Sequence, residues 1–509
     1  MTPRFRPAFR FIRFVMTGLA CGVLLASIGC AQADLSSAQN AYRNGNLPGA
    51  EKWIDQYVKN QGKGVNRVIA YLEQGNIRRD QGDLQGSLAA FDIADAAINE
   101  IDLAPDVSLS RETLAAFSNL NALPYRGTYA DRIMLYTLRA MNYLELGDSE
   151  RARVELRRAY ERQRDAIALN AKKLEEAREA AKAESAGNNG YDAERAQSDP
   201  NFQAGLNESY AGLNQYRGYG DYANPFAEWL QGIYYLGDAA DGSDVERGRM
   251  SLSRTAGMVP GNTFLDADRR MAESIAGGGP TPRTTWVVFA TGTAPLRAPI
   301  RIDIPLFIFD GSVDYVGANF PMLVENSNYL STLSVQPEGE QSSAAVQTQL
   351  LADMDSIVGE EFKNDLPVII TKTLIAAGTK ATTAYLIRKS LEDSNSSDSL
   401  TSLVRIATTV YQYAANQADL RTWGSLPKQY QIARLPTPDS GKITISAGGY
   451  SASAPGGAVA RAATPITVEL LPGEFNVVVV RSINTYSPFR VSQFSLGKDA
   501  PRWIEPSAQ

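Results

Sequence analysis

Four times in the first half of the chain, a helix-length stretch with its apolar residues on one face runs into a glycine turn and is followed by a second such stretch. In "YTLRAMNYLELGDSERARVELRRA", Tyr136, Ala140, Tyr143, Gly147, Ala152, Leu156 and Ala159 fall at helical spacing around a turn at Gly147-Asp148. "YLEQGNIRRDQGDLQGSLAAFDIA" places Tyr71, Gly75, Gly82, Ser87, Phe91 and Ala94 at matching offsets, and "AQNAYRNGNLPGAEKWIDQY" does the same with Ala38, Gly45, Ala50 and Ile54. A looser copy, with Gly232, Tyr235, Leu252 and a closing Pro260, needs a short insertion between its helices. Small and large residues alternate where two antiparallel helices would touch. A lone hairpin cannot bury its apolar face, but stacked neighbours can, so the pattern predicts a helical solenoid over residues 30–275.

Each unit resembles a tetratricopeptide (TPR) repeat, which asks for small residues at the close helix crossing and a large one a turn later. An irregular bundle of similar amphipathic hairpins is the alternative. The second helix of the clearest unit runs on through "ERQRDAIALNAKKLEEAREAAKAES", whose charges read as a solvated face, before "AGNNGYDAERAQSDPN" breaks the pattern. An aromatic cluster follows: Tyr210, Tyr216, Tyr219, Tyr222, Phe226, Trp229, Tyr234 and Tyr235. Helical spacing favours packing for these rings. The competing reading has Tyr219, Tyr222, Trp229 and Tyr235 lining a groove for a peptide or sugar.

"IAGGGPTPRTT" is a Gly/Pro hinge, with residues 276–283 as the boundary, and beyond it the period changes. Ile300, Ile302 and Ile304 alternate with Arg301 and Asp303, as on a half-buried strand. The expectation for residues 284–509 is a mixed α+β domain: strands over 284–335, helices over 345–420 and strands over 428–495, ending in a β-hairpin or sandwich-like region. Pro367 should start or kink a second helix, Lys372 and Lys380 argue against a membrane span there, and Leu471-Pro472-Gly473 reads as a hairpin turn.

The first 13 residues carry Arg4, Arg6, Arg10 and Arg13 and no acid, and Phe14 to Ala33 carry no charge. This is the pattern of a secretory signal over residues 1–29. Two cleavage sites compete. A cut before Cys30, preceded by "LLASIG", resembles lipoprotein processing and would anchor the chain by lipid, whereas a cut after "AQA" at Ala33 would release it into the periplasm. Cys21 is removed either way, so no intrachain disulfide can form.

Composition narrows the chemistry. The 509 residues include no histidine and only two cysteines, which excludes a Ser-His-Asp triad, a Cys-His nucleophile and a Cys/His zinc site. A net charge of -6 argues against nucleic-acid binding. Asp353 and Asp355, two apart on an expected helix, would face different ways. Ser425 and Lys428 have Ser-x-x-Lys spacing but with Pro427 between them, and "SGKIT" lacks the upstream glycine of a P-loop. The expectation is therefore no enzyme, no metal and no cofactor. Asp419, Arg421 and Trp423 read as an Arg-carboxylate pair with Trp packing that pins a loop to the β-domain, ahead of a role in ligand recognition.

Three segments together resemble a group of TPR-containing bacterial lipoproteins of unassigned activity. They are "WVVFATGTAPLRAPIRIDIP"; "LADMDSIVGEEFKNDLPVIITKTL", with Asp355, Glu361, Leu366, Pro367 and Lys372 in register; and "ADLRTWGSLPKQYQIARL", with an Asp-x-Arg-x-Trp-x-x-Leu-Pro motif at Asp419, Arg421, Trp423, Leu426 and Pro427. Members look like Gram-negative envelope proteins, some encoded beside outer-membrane lipoproteins that activate peptidoglycan synthases. The resemblance implies an outer-membrane scaffold that binds an envelope protein partner, tethered through lipid at Cys30. The alternative is an enzyme or carbohydrate-binding module acting on cell-wall material through the C-terminal domain.

Overall fold

The computed structural model describes residues 35–104, 123–186, 192–220, 222–307, 313–339, 344–393, 418–450 and 464–502. Outside the described residues lie the segment read as a secretory signal, with Cys30, part of the Gly/Asn excursion, most of the polar loop and helix expected around 390–417, and the Gly/Ala/Ser tract.

The helical half is a run of antiparallel hairpins. They are α1 (35–43) with α2 (Leu47–Gln61), α3 (Arg67–Gln81) with α4 (Leu84–Leu103), and α5 (Tyr129–Glu145) with α6 (Ser149–Ala186). After two short helices, α7 (Ala193–Gln197) and α8 (Pro200–Tyr210), come α9 (Pro225–Gly237) with α10 (Gly242–Met258), closed by α11 (Thr263–Ala276). Gly82 and Gly147 turn the chain at φ +88° and +79°, a left-handed conformation that glycine adopts without strain. Asn46, Asp83 and Asp241 then cap the returning helices through their side-chain oxygens. Gly75 is small because the hairpin is tight: a Cβ there would lie 2.4 Å from the Phe91 ring. The fold is a TPR-like helical solenoid followed by an α+β region.

Beyond the hinge, β1 (Thr284–Thr291) is central to a five-stranded sheet. It pairs in parallel with β10 (Phe475–Ser482) and antiparallel with β7 (Gln429–Pro436). The sheet is completed by β11 (Arg490–Leu496) beside β10 and β6 (Gln349–Asp353) beside β7. A second sheet joins β5 (Val346–Gln347), β4 (Leu330–Pro337), β8 (Lys442–Tyr450) and β9 (Ile466–Glu469). All eight residues of β1 are buried because the five-stranded sheet is covered on both faces. Trp286 and Val288 point into the helical core, and Val287 and Phe289 into the core shared with the second sheet. A ribbon of β2 (Leu296–Phe307) and β3 (Val313–Val324) packs through Ile302, Ile304 and Phe320 on α8 and on the first half of α12 (Met354–Asp393).

Three local expectations are corrected. Residues 346–353 are strands, not the start of a helix; α12 begins at Met354, so Asp353 ends a strand and Asp355 stands in the helix's first turn. Pro367 does not start a second helix: it lies inside one continuous helix. It lacks one N–H, but Phe362, Ile370 and Leu374 anchor the turns on either side in the ribbon core. Leu471-Pro472-Gly473 does not close a hairpin: β9 before it pairs with β8, and β10 after it with β1 and β11, so the turn carries the chain from one sheet to the other. Among the described residues, no helix is long and apolar enough to cross a membrane.

Candidate functional site

A TPR-like arc offers its inner helices as a groove, so the first question is what lies against them. Pro225 to Leu236 of α9 are all buried, as are nearly all residues of α5. Helices buried all round have no solvent face. What covers them is the chain's own second half. The Phe226 ring stacks on Tyr430 of β7 at 3.8 Å and 7°, and Trp229 meets Trp286 of β1 edge-on at 6.2 Å, with Phe475 of β10 next to it. One hydrophobic core runs from Tyr42 and Leu72 through Met134 and Ile233 to Ile432 and Val477.

Residues 418–428 complete the filling. Asp419 and Arg421 form a two-point ion pair, with Nε and Nη2 at 2.8 and 2.6 Å from the carboxylate oxygens. Arg421 Nη1 donates to the Leu123 carbonyl and to Asn66 Oδ1 at 2.9 and 3.0 Å. The ion pair holds Asp419 below the usual carboxylate range despite its burial. Trp423 is 1% exposed, edge-on to Phe91 of α4, and its Nε1 donates to Ser425 Oγ. Glu73 of α3 accepts the Gly424 and Ser425 N–H groups at 2.7 and 3.2 Å and Gln39 Nε2 at 2.7 Å. Asn76 donates to the Ser425 carbonyl, and Gln39 to that of Thr422. Leu426 is buried, and its carbonyl accepts the Ala294 N–H; Pro427 then leads into β7. The expected pairing and packing are present, but the loop is pinned chiefly to the helical half, not to the β-domain. The reason is that α3 supplies a carboxylate where the loop turns its N–H groups.

Two further buried ion pairs join the halves. Asp268 of α11, with no exposure, accepts from Trp229 Nε1, Trp286 Nε1 and Arg434 Nε at 3.0, 2.9 and 2.8 Å. Burial pushes it up to about 6 against the pull of Arg434. Arg481 of β10 pairs with Asp80 of α3 and donates to the Tyr42 hydroxyl at 2.9 Å.

The groove reading of the aromatics is corrected accordingly. Trp229 and Tyr235 are 0% and 2% exposed, held inside by the sheet and by neighbouring helices, so no external ligand reaches them. Tyr219 is half-buried, and its hydroxyl accepts the Asp353 N–H at 2.9 Å. Tyr222, at φ +61°, meets Tyr129 edge-on at 5.0 Å.

A second cluster stands at the end of the five-stranded sheet where β1 and β10 finish and β7 starts. Lys428 Nζ contacts both Asp355 and Glu325, the latter at 3.2 Å. Tyr216 donates to Glu325 at 2.7 Å, and the Tyr329 ring lies 5.4 Å from Nζ. Burial raises Asp355 to about 7, while hydrogen bonds from Tyr216 and Lys428 hold Glu325 low although its burial opposes them. A glycosidase pair needs open space between its acids for sugar or water; here Lys428 occupies it. Ser425 is engaged with Trp423 and Glu73, and Lys428 with the acids, so the Ser-x-x-Lys spacing forms no nucleophile-base pair.

Sequence reading missed Glu73, Asp268, Arg434 and Arg481. The available signal was an acid on the apolar stripe of a helix, as at Glu73 between Leu72 and Gly75. No protein-family model matches the chain, and no curated protein matches it. The crystal structure of a tetratricopeptide repeat protein from Parabacteroides merdae ATCC 43184 is similar over 48% of this chain and 98% of its own, with 13% identity and a TM-score of 0.14. At that score the likeness carries no argument, and the class of the fold rests on the hairpins described above.

Proposed function

We propose that the chain is a non-catalytic protein-interaction scaffold of the cell envelope, exported and tethered by lipid on Cys30, which docks its partner on the outer face of the helical arc. The observation that supports this reading is the asymmetry of the arc. Its inner helices are covered by the chain itself, while α6 runs for 38 residues, about 57 Å at the usual helical rise, with Arg157, Arg164 and Arg178 at 75%, 69% and 63% side-chain exposure. Charge on a rim steers a complementary partner. The absence of histidine and the engagement of the conspicuous acids in structural pairs support the non-catalytic part.

A photo-reactive residue placed at Arg157, Arg164 or Arg178 in exporting cells should give an adduct with one protein, and the same residue at Trp423 none. An outer face that gives no adduct while other surfaces do would overturn the docking assignment. Labelled fatty acid should enter the wild type and not Cys30→Ala; a mature N-terminus at Asp34 would overturn the anchor.

A further inference from the structure

The Lys428 cluster has a composition that an ordinary salt bridge does not need. Lys428 and Asp355 are 6% and 3% exposed, so an amine and a carboxyl meet out of water, with a second carboxyl, Glu325, in contact with the same Nζ. One Asp355 oxygen, Oδ1, is buried with no hydrogen-bond partner, a poor setting for an ionised carboxylate, whose oxygens both call for donors. The backbone holds the two ends rigidly together: the Met354 N–H donates to the Lys428 carbonyl at 2.8 Å, and Asp353 is in register with Gln429 across the β6–β7 pair. The aromatic ring of Tyr329 screens Nζ from above.

We propose that Lys428 and Asp355 join in an intramolecular isopeptide bond, with Glu325 as the proton carrier. The two acids are suited to different parts because their surroundings push them apart: buried Asp355 keeps its proton near neutrality, while Glu325, 39% exposed and hydrogen-bonded by Tyr216, stays ionised. Asp355 and Glu325 hold the Lys428 ammonium above its usual range although burial opposes them, so Glu325 takes its proton as Nζ closes on Cγ, and this frees the Nζ lone pair. Nζ attacks Cγ of the protonated Asp355 carboxyl, and the Nζ–Cγ bond forms. The Cγ–O bond to the departing hydroxyl breaks, and that oxygen leaves as water with a second proton drawn from Nζ. The products are a neutral amide, one water and protonated Glu325, which returns its proton to solvent. No oxidant, metal or cofactor enters. A neutral amide in place of a buried ammonium, and loss of the water to solvent, favour the forward direction. The bond would tie the strand pair β6–β7 across a sequence separation of 73 residues.

Peptide mapping by mass spectrometry of the purified, folded protein tests this. The wild type should yield a branched tryptic peptide containing both Asp355 and Lys428, lighter by one water than the sum of its parts, with cleavage after Lys428 lost. E325Q, which keeps the shape of the side chain, should show that peptide at a tenth of the wild-type yield or less, and K428R should lack it. Two linear peptides at full mass from folded wild type would overturn the proposal, as would a branch at Glu325 or Asp353. Equal yields from E325Q and wild type would overturn the role given to Glu325. Because the decisive reading is on the wild type, a variant that fails to fold does not shield the proposal.

Discussion

The two faces of the helical arc are built from the same repeat yet hold opposite contents. On the inner face, Glu73 and Asp268 are buried and the Asp80 side chain is 8% exposed, and each meets a group from beyond residue 280. On the outer face, Arg157 and Arg178 pair with Glu161 and Glu175 of their own helix, in water. The lesson is that a solenoid's concavity is a surface like any other, and a chain with a second domain can bury it. Charge on the inner face fixes how the two halves dock, whereas charge on the outer face stays in water.

Substitutions should separate the faces by size of effect. Trp423→Ala removes a fully buried ring from the filled groove and should lower unfolding stability by about 3 to 5 kcal/mol in urea titration. A loss under about 1 kcal/mol would mean the ring sits at a surface. Next comes pH. Asp268 rises from about 4 in the unfolded chain to about 6 in the fold, so the folded state holds the extra proton. Its contribution is full below about pH 4 and is lost as pH rises through 6, an effect of about 3 kcal/mol. Glu73, also raised by burial, acts with the same sign. Asp268→Asn should therefore flatten the fall in stability between pH 4 and 8, whatever it does to the absolute value; an unchanged slope would remove Asp268 from the account. Smallest is Arg157→Ala on the outer face, expected within about 0.5 kcal/mol of wild type because exposed pairs in one helix contribute little.

The parts of this comparison were unequally legible in sequence. The hairpins could be read because their signals are local: a 3.6-residue period, Gly82 and Gly147 at the turns, and Gly75 opposite Phe91. The change of period at the hinge was equally plain. Strand β6 was not, since five residues leading straight into α12 give too short an alternation to tell from a helix start. The occupant of the groove was out of reach for a different reason. Glu73 and Gly424 are 351 residues apart, and nothing near either names the other. The Asp-x-Arg-x-Trp pattern disclosed an ion pair and a packed ring, but their docking surface depends on the tertiary fold.

Residues 421–428 are an integral part of the helical core. Hydrogen exchange followed by mass spectrometry tests it directly, through the Gly424 and Ser425 amides bound to Glu73. The peptide covering 421–428 should be protected as strongly as β1, and Glu73→Ala should expose it while β10 stays protected. Exchange of that peptide within seconds in the wild type, at the rate of an open surface loop, would contradict the account and leave the inner face free for a partner.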